Sequence, residues 1–139
     1  MDNKENTWIY YLETTIYSLV KSLVEVDLKA TYPTIVITNE GKSNKEAEFP
    51  TVYIHELPGV ETGSDIEGLG VNAVMETFQV DVSTNTSKRD AKYITHVIVS
   101  AFKKLRFQIV SMPEIEYGDE TYRCVARLRR IIGANDTLM

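Results

Sequence analysis

Between Asn72 and Ser83 apolar and polar residues alternate, with Val74, Phe78, Val80 and Val82 on one side and Met75, Thr77, Gln79 and Asp81 on the other. Successive side chains of a strand point to opposite faces, so this pattern predicts a long strand with one face buried and one face towards water. Such a strand cannot stand alone. Its backbone needs neighbouring strands, and its apolar face needs a covering layer.

Two stretches have the period to supply that layer. From Trp8 to Leu28, Trp8, Ile9, Leu12, Ile16, Leu19, Val20, Leu23 and Val24 recur at three- and four-residue steps, which predicts a helix that stops before Pro33. From Ser87, residues Ala91, Ile94, Val97, Ile98, Ala101, Phe102 and Leu105 form a second apolar stripe. Ser87 is placed to accept from the amide of Asp90, and Lys103 and Lys104 suit the negative pole of the helix dipole.

Four further strands are expected at Thr34 to Thr38, Pro50 to Leu57, Phe107 to Met112 and Thr121 to Ile132. Asn39 to Glu48 is polar and reads as an exposed loop. Pro58 to Gly70, rich in glycine and acid and without a period, reads as a second, long loop of the kind that orders against partners. A turn is expected at Tyr117-Gly118-Asp119. The resulting order, α-β-β-β-α-β-β, implies an α+β domain: a mostly antiparallel sheet with two helices packed on one face. At 139 residues the chain, 1–139, is expected to be a single domain.

Composition narrows the function by exclusion. With 15 Lys and Arg against 20 Asp and Glu, the net charge of −5 argues against a chain built mainly to grip nucleic acid or anionic lipid. The single cysteine, Cys124, cannot make an internal disulfide and alternates onto the apolar side of the last strand, where an inert buried thiol is expected. No stretch approaches the roughly 18 apolar residues of a membrane span, and Asp2, Lys4 and Glu5 interrupt any signal-peptide core at the start.

No catalytic signature is present: neither a phosphate-binding Gly-x-x-x-x-Gly-Lys loop, nor a Gly-x-Ser-x-Gly elbow, nor a His-Glu-x-x-His pair. Gly59, Gly63, Gly68 and Gly70 lack the spacing of a dinucleotide fingerprint. His55 and His96, the only imidazoles, have no ligand spacing and read as partly exposed structural residues. Asp65, Glu67, Glu76 and Asp81 would be the carboxylates of a metal-dependent nuclease or hydrolase, although a solvated acidic surface accounts for them more simply.

Charge segregation does rise above background. Glu56, Glu61, Asp65, Glu67, Glu76 and Asp81 fall in a stretch with no Lys or Arg, whereas Arg123, Arg127, Arg129 and Arg130 near the end face only Asp136. In the last strand Arg123, Val125, Arg127 and Arg129 share one face, opposite Tyr122, Cys124, Ala126 and Leu128. Three uses compete for this basic face. It pairs with Glu76 or Asp81 on a neighbouring strand; or it meets the acidic stretch of another copy, with Arg123, Arg127 and Arg129 opposite Glu61, Asp65 and Glu67; or, least consistent with the net charge, it contacts phosphate.

Three segments carry a resemblance: Phe49-Pro-Thr-Val-Tyr-Ile-His-Glu-Leu-Pro-Gly59 with Gly63-Ser-Asp-Ile-Glu-Gly68, then Asn72-Ala-Val-Met-Glu-Thr-Phe-Gln-Val80, and Arg129-Arg-Ile-Ile-Gly-Ala-Asn-Asp136. In texture and element order, from about Tyr32 to Asp136, the chain resembles the tail-terminator or tail-completion proteins of long-tailed bacteriophages and prophages. That family has no active site, so the resemblance implies a structural protein without catalytic residues, cofactor or metal. It implies a ring, usually a hexamer, that ends the tail tube and joins it to the neck of the capsid. Its partners would be further copies of itself, the tail tube protein and a neck or connector protein. Genomic DNA would pass through the ring without sequence-specific binding, and no membrane would be involved. The protein would be assembled in the bacterial host cytoplasm and reside in the virion. A head-tail connector in the adjacent ring is the related alternative.

Overall fold

The computed structural model describes residues 11–40, 49–64, 71–118, 120–133 and 136–138. Trp8, Ile9, most of the loop expected at 39–48, and Asp65 and Glu67 lie outside the described residues.

Helix α1 spans Leu12–Thr31 and buries Leu12, Ile16, Val20, Val24 and Leu28, a stripe of four-residue steps. It ends where Tyr32 leaves helical geometry ahead of Pro33, its amide donating to Leu28 O at 2.7 Å. Helix α2 spans Lys88–Lys104. Its N-cap is Ser87, whose hydroxyl accepts from the Asp90 amide at 3.1 Å. Tyr32 Oη donates to Asp90 Oδ1 at 2.9 Å and so ties the end of α1 to the first turn of α2.

The strands are β1 (Val36–Thr38), β2 (Thr51–Ser64), β3 (Val71–Thr84), β4 (Gln108–Gly118) and β5 (Thr121–Gly133). They form one sheet in the order β1-β2-β3-β5-β4. Only β1 and β2 run parallel; the other pairs are antiparallel, so the domain is α+β with a mostly antiparallel sheet. Both helices pack against the sheet, α2 over β3, β5 and β4, and α1 against α2 and β2. Val52 and Ile54, Val74, Phe78, Val80 and Val82, and Cys124, Ala126, Leu128 and Ile132 are buried apolar residues of the three central strands. Phe78, Phe102 and Phe107 join β3, α2 and the start of β4, with ring centroids 5.1 to 5.9 Å apart.

Two expectations need correction. The loop expected over Pro58 to Gly70 is in fact strand as far as Ser64. β2 continues beside β3 through the pairs Val60↔Met75, Glu61↔Val74, Thr62↔Ala73 and Ser64↔Val71. Pro58 and Gly59 sit where the register shifts between Leu57 and Val60, a bulge that accommodates a residue without an amide hydrogen. Likewise β4 does not stop at Met112 but runs to Gly118, with irregularities between Ile109 and Ser111 and between Ser111 and Glu114. In both strands the register shifts break the simple two-residue count, which erases the period-two signal.

Candidate functional site

The sheet face turned away from the helices carries the residues singled out by charge. Cross-strand rows build it. One row is Thr51, Ser83, Arg123 and Glu116; the next are Tyr53, Asp81, Val125 and Glu114, then His55, Gln79, Arg127 and Ser111, then Leu57, Thr77, Arg129 and Gln108. Arg123, Arg127 and Arg129 thus share one exposed face of β5, because even-numbered steps separate them in a regular strand.

Asp81 is the hub of this face. Its Oδ1 accepts from Arg123 Nη2 at 2.5 Å. Its Oδ2 lies 3.1 Å from Gln79 Nε2, which donates to it, and 3.2 Å from His55 Nε2. The His55 ring stacks on Tyr53 at 4.2 Å, nearly parallel at 7°. Arg127 Nε donates to Gln79 Oε1 at 2.9 Å, which extends the network by one strand position. On the other side Arg123 Nη1 reaches Glu116 Oε2 at 3.7 Å. His55 is therefore one member of a polar network rather than an isolated imidazole.

The cross-strand pairing that was one of three uses of the arginine face holds for Arg123 with Asp81 and fails for Glu76. Glu76 belongs to the opposite, helix-covered face and is only 3% exposed. Desolvation by burial, a hydrogen bond to Glu56 and the charges of Glu56 and Glu13 push its carboxyl up to about 8. One of its oxygens, Oε2, is buried without a hydrogen-bond partner among the described residues. A solvated acidic surface is thus the wrong description of Glu76. The same geometry separates the carboxylates of the nuclease reading: Glu76 and Asp81 point to opposite faces of β3, so they cannot share an ion. Among the described residues no group of three His, Cys, Asp or Glu is placed to hold a metal.

Arg130 also departs from the picture of a uniformly basic last strand. It turns inward at 9% exposure, donating from Nη1 to Leu105 O at 2.7 Å and to Leu138 O at 3.0 Å. Its Nη2 contacts both oxygens of Asp136, at 2.5 and 2.6 Å. Burial opposes ionisation of Asp136, but the Leu138 amide and the Arg130 guanidinium hold its carboxyl below the usual range. Adjacent arginines in a strand must face opposite ways, a signal already present in the Arg129-Arg130 pair. Cys124 is buried, and desolvation pushes its thiol up, away from the reactive thiolate.

Arg127 and Arg129 remain exposed and have no carboxylate partner among the described residues. Of the acidic candidates, Glu61 stands on β2 opposite Val74, two strands from the arginines, and Asp65 and Glu67 fall outside the described residues. The described chain therefore gathers the three arginines but brings none of them to Glu61. No family model matches this sequence, and no curated protein matches it either.

Proposed function

We propose that this chain is a structural, non-catalytic subunit of a bacteriophage tail, forming a ring that ends the tail tube and joins it to the neck. The observation that carries this reading is the unequal use of the open face. Arg123 is satisfied within the chain, while Arg127 and Arg129 present guanidinium groups that meet no carboxylate among the described residues. The same chain holds Glu61, Asp65 and Glu67 in a stretch without a basic residue. A basic strand face and an acid-only stretch of one chain can match between copies in a head-to-tail sense, and such a contact closes into a ring when the rotation closes. The likeness of residues 49–68, 72–80 and 129–136 to tail-terminator proteins supports the same reading, as does the α+β fold with its long β2–β3 hairpin.

Charge reversal tests it. Arg127→Glu with Arg129→Glu should leave the domain folded and abolish the ring. Combining them with Glu61→Lys, Asp65→Lys and Glu67→Lys should restore it in part, since the pairing is only inverted. Unchanged assembly in the arginine variant would refute the interface.

A further inference from the structure

Helix α2 is, like β5, a basic element of an acidic chain. It carries Lys88, Arg89, Lys92, Lys103 and Lys104 against one acid, Asp90, and that carboxylate is already engaged by Thr86 and Tyr32. Lys92, His96 and Lys103 follow at four- and seven-residue steps along one side of the helix. All three are exposed, and none has an ion-pair partner among the described residues. They form one wall of a cleft of about 340 Å³ whose apolar bed includes Val99, Ile109 and Ile115. Because β4 is the last strand of the sheet, no further strand of the described chain closes this cleft from outside.

Apolar bed and cationic rim together select the occupant. A phosphate backbone would use the rim but gain nothing from the bed, and a purely apolar ligand would leave the cations unmatched. Carboxylates on either side of an apolar side chain satisfy both. We infer that the α2–β4 cleft docks an acidic segment of a partner protein, with an apolar side chain on Val99, Ile109 and Ile115 and flanking carboxylates on Lys92 and Lys103. The cleft lies on the helix side of the sheet, whereas Arg127 and Arg129 lie on the other, so this docking site stands or falls separately from the ring contact.

The test uses the full chain and a fluorescein-labelled heptapeptide alternating Asp or Glu with Leu or Val, read by anisotropy at low salt. Wild-type protein should bind it, and binding should weaken with added salt. Lys92→Glu with Lys103→Glu should weaken binding by about tenfold or more, as expected for two reversed ion pairs. Ser100→Trp, which fills the cleft while keeping both lysines, should weaken it comparably while circular dichroism stays native. A peptide with serine in place of Leu and Val should not bind. No binding by the wild type, equal binding by the variants, or tighter binding of a DNA duplex than of the peptide would overturn the inference.

Discussion

Glu76 and Arg130 stand directly opposite each other on β3 and β5, yet they do not pair. The guanidinium turns to Asp136 and to the carbonyls of Leu105 and Leu138, and the carboxyl turns to Glu56. A buried ion pair at this position would have to desolvate both charges. Instead the cation is matched by a carboxylate from the chain's end, and the acid is left in a setting that favours its neutral form.

That setting makes stability depend on pH. The folded-state value of Glu76 lies near 8, above its ordinary 4.5, so between these values the folded protein binds more protons than the unfolded chain. Its contribution is fully present below about pH 4.5 and is lost as pH rises through 8. Denaturant unfolding from pH 5 to 9 should show a decline on the order of a few kcal/mol. Glu76→Gln should flatten the profile and be more stable than the wild type at pH 8.5. An equal slope in both proteins would remove Glu76 as its source.

Arg130 fastens the end of the chain to the core, so its removal should be costly. Arg130→Leu removes the bidentate partner of Asp136 and the donor to two buried carbonyls, and should destabilise by about 3 kcal/mol. Because the Asp136 carboxyl is held low, this contribution is present above the ordinary carboxylate range and fades as pH falls through it. A loss below about 0.5 kcal/mol in urea unfolding would contradict the anchoring role.

On the open face the two partners of one ion pair should behave differently. The Arg123 side chain is 46% exposed, so Arg123→Ala should cost less than about 1 kcal/mol. Asp81→Ala removes the acceptor shared by Arg123, Gln79 and His55 and should cost about 2 kcal/mol. Equal losses would mean that Asp81 serves Arg123 alone.

The cap of α2 offers a local check. Ser87→Ala deletes the acceptor for the Asp90 amide and should lower stability by about 1 kcal/mol, whereas Ser87→Asp should restore most of it. Thermal unfolding of the two variants separates capping from a generic surface effect.

What the sequence could and could not reveal follows from how far each pattern extends. The stripe Ile16, Val20, Val24 and Leu28 is uninterrupted and the buried face from Val74 to Val82 is broken only by Glu76, so both were legible as helix and strand. Ser87 with Asp90 announced a helix start through local chemistry alone. The second half of β2 was hidden because Pro58-Gly59 imitates a turn and the bulge reverses the alternation beyond it. The arginine face was visible, since strand geometry fixes which residues share a side. Which arginines are already satisfied was not, because Asp81 and Asp136 reach them across register and chain distance that periodicity does not encode. The fate of Glu76 was equally hidden: its neighbours Glu56 and Glu13 come from β2 and α1, far away in sequence.

The mass and shape of the purified protein, alone and with tail tubes, test the central claim most directly. Light scattering with electron microscopy should find a closed ring of identical copies that caps tube ends, and Arg127→Glu with Arg129→Glu should leave folded monomers that cap nothing. A wild-type protein that stays strictly monomeric even in the presence of tail tubes would contradict it.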